Sequence, residues 1–399
     1  MYDTSGSSSH RGGPRRRSGR SASPVIGAVV VLLLGVVLAG VAGAQRLRDR
    51  PAPRWQEGRT AAPIGSQPPS ASAASAPKVI SMSATGDIIM GNAPGRLPAD
   101  GGRGFFDSVE KALGADLVMG NLEEPLTDDT GTTKCGTNST SCHQFRAPPS
   151  YAAHLRDAGF EVLNQANNHG YDYGPAGYRN TQNALERVGL KHTGAPNQIT
   201  VVDVEGVKVA VVGFSSYVWS NSLVDIASAK KVTAKAASLV DLVVVQVHMG
   251  AEGADKTRVR PGTEMFLGEN RGDPVKFAHA MIDAGADLIV GHGPHVLRAL
   301  EFYKGRLIAY SLGNFAGGGG TLNNNGRLGL GAVLKVSISV DGTWAGGQFI
   351  STYMNSAGEP TMDSNRRGLA LVTGLCRSDF PSTGARFDVE GRISPPAAN

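Results

Sequence analysis

Short apolar runs that stop at polar side chains recur along the chain. The runs are rich in β-branched residues and too short for core helices, so they predict buried strands. Ligands of α/β proteins gather outside the carboxyl ends of strands, so polar residues at those ends are expected to converge. Five runs have this form: Val79–Thr85 before Gly86-Asp87, Leu117–Gly120 before Asn121-Leu122-Glu123, Phe160–Leu163 before Asn167-Asn168-His169, Leu242–Val247 before His248, and Leu288–Gly291 before His292.

Segments with apolar residues at helical spacing alternate with these strands. Each segment is followed directly by a glycine. Glycine is the usual residue just past a helix C-terminus. The alternation predicts an α/β fold across most of residues 78–313. The predicted helices are Phe105–Leu113, Tyr151–Ala158, Gly177–Val188 and Pro274–Ala284.

The pattern changes after Asn314. Leu330–Val340 alternates apolar and polar residues, Asp341-Gly342 is a turn signal, and Trp344–Tyr353 resumes the alternation. This predicts a β-hairpin at the edge of a sheet. The main domain is thus expected to cover residues 78–355. One further strand, Leu369–Thr373, is predicted within a C-terminal extension formed by residues 356–399.

The N-terminal part has a different composition. Residues 1–24 are rich in Ser, Gly and Arg, whereas residues 25–44 carry no charge and would span about 30 Å as a helix. The arginines before this segment favour a cytoplasmic N-terminus. We predict a basic cytoplasmic tail, a single-pass transmembrane signal anchor over residues 25–44, a flexible Pro/Ala/Ser linker over residues 45–77, and an extracytoplasmic main domain. The alternative is secretion after cleavage near Ala44, because Ala42-Gly43-Ala44 has the form of a cleavage site.

The net charge of +5 does not indicate a nucleic-acid partner. The first 54 residues hold nine arginines and two acids, which gives +7 there and −2 for the remainder. The basic character therefore belongs to the membrane-proximal tail. No nucleic-acid binding is expected.

Three cysteines are present. Cys135 and Cys142 lie close together in a loop rich in Gly, Thr and Ser, and an exported chain meets an oxidising compartment in which they can form a disulfide. The sequence leaves open whether this pair forms a disulfide or remains as two free thiols. Cys376 would be the unpaired cysteine.

The polar motifs consist of residue types that bind divalent metals. Asn121 and Glu123 are two apart, so in an extended segment they face the same side. The segment Asn167–Gly174 combines amides, an imidazole and a carboxylate between glycines, which suits metal coordination beside an acid–base group. Gly291–His295 presents two imidazoles three residues apart. These features predict a metal-dependent hydrolytic site.

In combination, the motifs resemble the bacterial capsule-synthesis family called CapA, which is also named for poly-γ-glutamate biosynthesis. The resemblance rests on Asn-Asn-His-x-x-Asp-x-Gly at 167–174, Gly-His-x-Pro-His at 291–295 and Tyr-Ser-Leu-Gly-Asn-Phe at 310–315. It covers about Val79 to Phe315. The family looks like a divergent branch of the calcineurin-type metallophosphoesterases. The resemblance therefore implies a four-layer α/β/β/α metallophosphatase-like sandwich around a dinuclear metal site.

The resemblance also implies roles for the matching residues, with Glu123 as the bridging carboxylate and His169 as the general acid. Divalent ions such as Mn, Zn, Fe or Ca are the implied cofactors. The implied metal ligands are Asp87, Glu123, Asn168, His248, His292 and His295, the catalytic pair is His169 and Asp172, and the substrate contacts are Asn121, Asn167, Glu252 and Asn314.

Three departures from the metallophosphoesterase pattern leave the number of metals and the phosphatase chemistry open. Ile89 stands where the Asp-x-His motif has its histidine. Glu123 replaces the bridging aspartate. The terminal histidines are separated by Gly293-Pro294 rather than by one residue, and Gly293 stands where the CapA-like family often has a second histidine.

These features suggest a membrane-anchored extracytoplasmic protein that acts in synthesis, export or anchoring of an anionic envelope polymer such as poly-γ-glutamate. Hydrolase chemistry at a phosphoester or amide, assisted by His169, is the first hypothesis. The alternative is a non-catalytic assembly or transport factor that works with membrane synthase or export partners. Fold resemblance by itself does not decide between them.

Overall fold

Two mixed β-sheets carry the fold. The computed structural model of the protein describes residues 77–135 and 142–397. The α-helices are α1 Glu110–Leu113, α2 Ala152–Asp157, α3 Gly174–Arg187, α4 Ile226–Ala237, α5 Pro274–Asp283 and α6 Arg367–Asp379. The strands are β1 Val79–Ile89, β2 Leu117–Leu122, β3 Val162–Asn164, β4 Lys191–Thr193, β5 Thr200–Val204, β6 Val207–Ser215, β7 Asn221–Ser222, β8 Leu242–His248, β9 Met265–Phe266, β10 Glu269–Asn270, β11 Leu288–His292, β12 Leu300–Tyr303, β13 Arg306–Ala309, β14 Asn314–Gly317, β15 Leu330–Ser339, β16 Trp344–Met354, β17 Pro360–Met362, β18 Arg386–Phe387 and β19 Ile393–Ser394.

Each sheet joins a parallel centre to antiparallel edges. The first sheet has the strand order β17-β16-β15-β1-β2-β3-β4, with β14 also beside β1. Its strands β1 to β4 are parallel, and β15 to β17 are antiparallel additions. The second sheet has the order β12-β13-β11-β8-β6-β5, with β7 beside β6. Its centre, β6, β8, β11 and β13, is parallel.

Three clusters of buried apolar side chains define the layers. The inter-sheet core contains residues of both sheets, such as Met82 on β1 and Val244 on β8. A second cluster lies between the first sheet and helices α1, α2 and α3. A third lies between the second sheet and helices α4 and α5. The order of layers is therefore helices, sheet, sheet, helices, and each apolar face is covered.

The predicted α/β fold is confirmed in this general form, as a mixed fold with parallel and antiparallel strands. The five predicted strands correspond to β1, β2, β3, β8 and β11, and the predicted hairpin is β15–β16. Three of the predicted helices correspond to α2, α3 and α5. The prediction for Phe105–Leu113 is wrong in extent, because only Glu110–Leu113 is α-helical. The residues before it form turns, although Phe105 and Phe106 are buried as expected.

The predicted strand Leu369–Thr373 is wrong, because this segment lies within helix α6. The physical reason is the spacing of its buried residues, Leu369, Val372, Leu375 and Cys376, which is that of one helix face. That face packs on the inter-sheet core, as does Ile393 near the end of the described chain. The C-terminal segment is therefore integral to the packing of the two sheets.

The predicted tail over residues 1–24, the anchor over residues 25–44 and almost all of the linker lie outside the described residues. Within residues 77–135 and 142–397, none of the helices has the length and apolar character that crossing a membrane requires.

Candidate metal centre

The inner faces of both sheets deliver polar side chains to one place. On β8, Leu242 and Val244 face the inter-sheet core, and the same alternation brings Gln246 and His248 to that side. On β11, Leu288 and Val290 are followed in the same way by His292. The apolar inner faces thus end in metal-binding residue types at the carboxyl ends of the parallel strands, where ligand sites of α/β folds lie.

Asp87 reaches this side only because β1 changes register. Ile80, Met82 and Ala84 face the inter-sheet core, so unbroken alternation would turn Asp87 away from it. The pairing of β1 shifts on both sides of Asp87, and Ile88 packs into the outer cluster instead. Such an irregularity reverses which residues face each side of a sheet. The carboxylate of Asp87 consequently faces the second sheet.

Asp87, Glu123 and His248 form the centre of the site. All three side chains are fully buried, and one ligand atom from each lies within 4.8 Å of the others. Oε1 of Glu123 is 3.9 Å from Nε2 of His248. Two carboxylates and an imidazole at this separation are a donor set for a divalent transition metal.

Two further imidazoles border this cluster. Nδ1 of His292 is 3.7 Å from Oδ1 of Asp87. Nδ1 of His295 is 3.3 Å from Oδ2 of Asp87, and its Nε2 is 3.6 Å from Oε1 of Glu123. His295 has a positive φ of 58°, a backbone state that is uncommon for a residue with a side chain and is found at functional sites. The predicted ligands of the first, bridging and terminal motifs are thus brought together.

Buried polar atoms without hydrogen-bond partners concentrate here, among the residues that the structure describes. Buried polar groups are normally paired, since an unpaired one costs about 1–3 kcal/mol. A cation would satisfy the carboxylate and amide oxygens and one nitrogen of each imidazole, so the residues fit a divalent metal. The unpaired atoms at the site are Oε1 and Oε2 of Glu123, Oδ1 of Asn168, Nδ1 and Nε2 of His248, and Nδ1 of His292.

The pKa values in the cluster diverge. Burial and the charge of Asp87 raise the pKa of Glu123 well above its usual range. Burial lowers the pKa of His248 well below its usual range and that of His292 to about 4. Burial alone would raise the pKa of Asp87, but the hydrogen bond and charge of His295 hold it low. His248 and His292 are therefore held neutral, which is the form of imidazole that binds metals.

His169 and Asp172 form a buried pair beside the cluster. Nδ1 of His169 is 2.7 Å from Oδ2 of Asp172, which leaves Nε2 as the other ring nitrogen available for proton transfer. Asp172 also accepts from the backbone N–H of Phe145 at 2.8 Å and forms a 3.1 Å ion pair with Lys134. The pair has the arrangement of a general acid oriented by a carboxylate.

A disulfide joins Cys135 and Cys142, whose Cα atoms are 5.6 Å apart. Lys134 precedes the first cysteine, and Phe145 follows the second and packs its ring on His169 with 4.6 Å between ring centroids. Described residues near both cysteines, Lys134 and Phe145, therefore contact the same acid–base pair. Cys376 is the free cysteine among the described residues.

Asn121 and Asn167 have a supporting place rather than the predicted substrate contact. Nδ2 of Asn121 donates to Oδ1 of Asp87 at 2.8 Å. Oδ1 of Asn121 accepts from Asn164 at 2.9 Å and from Asn167 at 3.1 Å. Asn121, Asn164 and Asn167 are all fully buried. This amide network orients the carboxylate of Asp87, as groups behind metal ligands commonly do.

A cavity of about 440 Å³ opens beside the cluster. Glu252, Asn314, His169 and His295 are among its walls, with apolar side chains that include Phe145. Glu252 and Asn314 thus line this cavity, and their role in substrate binding stays a prediction. Oδ1 of Asn314 also lies 2.8 Å from Nδ1 of His295, within hydrogen-bond distance, so Asn314 fixes that ring as well.

Three residues at the site were not predicted from the sequence: Gln246, Asn164 and Arg271. Gln246 contacts Nε2 of His292 through Oε1 at 3.2 Å, and Asn164 belongs to the amide network. Both could have been found, because Gln246 precedes His248 by two residues on one strand face and Asn164 ends β3. Arg271 is almost fully buried and hydrogen-bonded to Glu252. It lies in an irregular segment that carries no motif.

Comparison with known proteins places the chain among capsule-synthesis proteins. The chain is 33% identical over 260 residues to the capsule biosynthesis protein CapA of Bacillus anthracis, with 59% of this chain and 59% of the relative aligned. It is also 33% identical over 261 residues to the PGA biosynthesis protein CapA of Bacillus subtilis (strain 168), with 59% and 63% aligned. The chain thus spans less than two thirds of the length of these curated relatives.

A solved structure, that of the 5′-nucleotidase precursor from Thermus thermophilus, aligns with 74% of this chain and 59% of that chain, with a TM-score of 0.39 and 15% identity. Residues 81–318, which are more than half of the chain, match the family described as bacterial capsule synthesis protein PGA_cap. The family expected from the motifs is thereby confirmed, and the chain belongs to the bacterial capsule synthesis protein family PGA_cap.

Proposed function

We propose that this protein acts in the synthesis, export or anchoring of a capsule or envelope polymer such as poly-γ-glutamate, through a metal-dependent hydrolase-type site on a metallophosphatase-like fold. The observation that carries the chemical part is the buried cluster of Asp87, Glu123 and His248, whose ligand atoms lie within 4.8 Å of one another. The part that concerns the polymer is supported by the names of the relatives.

Asp87, Glu123, His248 and His292 would hold the metal, with His295 and Oδ1 of Asn168 at the border of the cluster. A bound divalent cation supplies Lewis-acid chemistry, which polarises a phosphoryl or carbonyl oxygen and favours deprotonation of water. The donor set of carboxylates and imidazoles suits Mn, Zn or Fe better than Ca, which prefers an all-oxygen shell.

His169 would donate a proton to the leaving group. Its ring is fixed by Asp172, and the carboxylate is itself held by Lys134 and by the backbone N–H of Phe145. A proton on the free ring nitrogen can then be delivered into the cavity that His169 borders. The apolar wall of that cavity excludes water around the scissile group, and Asn314 and Glu252 orient it.

The location and partners follow from the same hypothesis. Residues 25–44 would anchor the chain in the cytoplasmic membrane with the main domain outside, or the domain would be secreted after cleavage near Ala44. The partners would be the anionic envelope polymer and membrane synthase or export proteins, without a role for nucleic acid.

Metal content of the purified full chain tests the proposal. We expect one or two transition-metal ions per chain, lost in His248→Ala and His292→Ala and retained in His192→Ala. The last variant is a matched control, because the imidazole of His192 pairs with the exposed carboxylate of Glu186. A folded, metal-free wild-type chain would contradict the proposal.

One observation favours a second candidate, a non-catalytic assembly factor. Ile89 is fully buried and stands where metallophosphoesterases supply a histidine, so one ligand is replaced by an apolar side chain. Metal-loaded protein that binds polymer but cleaves neither phosphoesters nor γ-glutamyl amides would support this alternative.

A further inference from the structure

Two loops beside the metal centre expose apolar side chains to water. Val218 is 92% exposed and Leu267 is 84% exposed, and no other large apolar side chain among the described residues is as exposed; Met265 is 55% exposed. Single exposed apolar residues are common on protein surfaces, but several at one place mark an interaction surface. We call residues 217–219 and 265–267 the apolar rim.

The two loops of the apolar rim are neighbours. The guanidinium carbon of Arg271 lies 5.6 Å from the ring centroid of Tyr217 and 5.4 Å from that of Phe266, and the hydroxyl of Tyr217 donates to Glu269. Trp219 stacks on Tyr217 with 4.8 Å between the ring centroids. Phe266 also lines the cavity beside the metal centre. The apolar rim is therefore one patch at the edge of that cavity.

The hairpin of β9 and β10 presents Leu267 at its tip. Phe266 pairs with Glu269, so Leu267 and Gly268 form a two-residue turn, and their φ angles are 48° and 83°. Turns with two positive φ angles favour Asn-Gly, and a leucine in this backbone state is strained. Neither the turn nor the core gains from an exposed leucine here. Strain of this kind is found at functional sites, and a role in binding accounts for it.

The base of the same hairpin is fixed. The carboxylate of Glu264 accepts from the backbone N–H of Ala251 at 2.7 Å and from Nη1 of Arg298 at 2.9 Å. The backbone N–H of Arg271 donates to the carbonyl oxygen of Glu264 at 2.9 Å. A tip held in this way loses little conformational entropy when it contacts a partner.

The size and composition of the apolar rim favour a lipid bilayer over a second copy of the chain. Each partner of a stable dimer buries roughly 800 Å², which is more than three protruding side chains supply. Apolar side chains bordered by Tyr and Trp suit the interface of a bilayer, where these aromatic residues are enriched. The rim residues carry no charge, so the contact would depend on the burial of apolar surface.

The chain before the described residues brings a membrane within reach. Residues 25–44 are uncharged, and residues 45–76 connect them to the described domain. Fully extended, this connection would reach about 100 Å, whereas β1, whose 11 residues lead from the start of the domain to the metal centre, is about 35 Å long. The connection is therefore long enough for the end that carries the metal centre to face the membrane.

We propose that the apolar rim seats on the surface of the lipid bilayer and holds the cavity of the metal centre against the headgroup layer. This inference rests on the membrane location in the proposed function, whereas the position of the contact rests on the exposure and geometry of the rim. A substrate presented at the membrane surface would then reach the cavity past Phe266.

Fluorescence of the full chain in phosphatidylcholine vesicles tests this. Val218→Cys, labelled with an environment-sensitive dye, reports on the rim, and Val389→Cys, at another exposed valine, is the matched control. Cys376 is buried and stays unlabelled in the folded chain. A nitroxide on the lipid acyl chains should quench the dye at position 218 about threefold or more relative to position 389, and high salt should preserve this difference because the rim is uncharged.

The variant Leu267→Asn separates docking from folding. It creates the Asn-Gly turn that this hairpin favours, so the free energy of unfolding should not fall. Quenching of the dye at position 218 should nevertheless fall by about half or more, because the rim loses its apolar tip. Leu239→Asn removes another exposed leucine and should leave the quenching unchanged.

Equal quenching at positions 218 and 389, in chains that float with the vesicles, would overturn the inference and leave the proposed membrane location standing. Chains that do not float would overturn the location and the inference together. A blue shift of the dye at position 218 that grows with protein concentration in the absence of lipid would assign the rim to a second copy and overturn the bilayer contact. None of these outcomes depends on metal content, so failure of the proposed metal chemistry is distinguishable from failure of this inference.

Discussion

Nδ2 of Asn168 donates to Oε1 of Glu252 at 3.3 Å, and this contact leaves Oδ1 of Asn168 buried and without a hydrogen-bond partner. Glu252 is in turn held by the buried guanidinium of Arg271. The side-chain amide of Asn168, a predicted metal ligand, is thus oriented by the carboxylate of Glu252, which lies 84 residues later in the chain. Groups in this position usually change metal affinity by about 10–100-fold when they are removed.

Glu252→Ala should therefore weaken metal binding by about tenfold or more, because the Asn168 amide loses the partner that sets its orientation. Titration of the metal-free full chain, followed by calorimetry, measures this. Glu186→Ala is the control, since Glu186 pairs with a histidine on the surface. Identical metal affinities of the two variants would show that Glu252 does not contribute to metal binding.

Gly293→Ala should lose metal for a steric reason. Gly293 has a φ of 104°, and a Cβ built on it would lie 3.0 Å from Nε2 and Cδ2 of His248. Gly206→Ala is the control. Its backbone is strained as well, because Gly206 has a φ of 85°, but a Cβ built there would have no atom within 4 Å. Both variants should lose about 1–2 kcal/mol in free energy of unfolding, whereas only Gly293→Ala should lose metal content. Full metal retention by Gly293→Ala would argue that His248 is not a ligand.

Asp363 should make stability depend on acidity. Burial would raise the pKa of this carboxyl, but hydrogen bonds from Ser351, Arg367 and the Gly368 N–H lower it from its usual 3.8. A carboxyl whose pKa is lower in the folded state stabilises the fold above its unfolded pKa, and this contribution is lost as pH falls through the folded value.

Asp363→Asn should therefore be less stable than wild type by about 1–2 kcal/mol near neutral pH, and the difference should shrink below the usual pKa of 3.8. Denaturant unfolding over a pH series measures the free energy of unfolding. Asp157→Asn, an exposed position with its own arginine partner, should show no such trend. A difference that persists at the lowest pH would contradict the expectation.

Cys376 should resist alkylation in the folded protein. Burial raises the pKa of its thiol to about 12, and the backbone N–H of Leu300 donates to Sγ at 3.1 Å. At about pH 8 roughly one thiol in ten thousand is then ionised, and the thiolate is the reactive form. Mass spectrometry after iodoacetamide treatment should find no label on Cys376 until the chain is unfolded, and labels on Cys135 and Cys142 only after reduction. Rapid labelling of Cys376 in native buffer would disagree.

Much of the candidate metal centre could be predicted from the sequence, because its candidate ligands obey two local rules. They follow apolar strands, and they continue the alternation of the inner face. His248 and His292 satisfy both rules, and so does Glu123, which shares a side with Asn121. These residues can therefore be predicted as metal ligands without knowledge of how the strands pair.

Features that depend on distant contacts could not be predicted in this way. Asp87 faces the second sheet through a shift in the pairing of β1, which its own sequence does not reveal. Arg271 acquires its role only by contact with Glu252. The segment from Leu369 to Thr373 is apolar enough for a strand, and its helical state is decided by the buried residues that flank it. In each case, tertiary packing overrides the local pattern.

The two sheets divide the candidate ligands between them: Asp87 lies near the end of β1 and Glu123 directly follows β2, whereas His248 and His292 end β8 and β11. A chain in which only one sheet has formed possesses half of the coordinating groups, so strong coordination requires that both sheets have docked. By linkage, a cation bound only to the docked state favours that state over every partly opened one. Loading with metal would thus mark complete folding, and a misfolded copy would be recognisable by its empty centre.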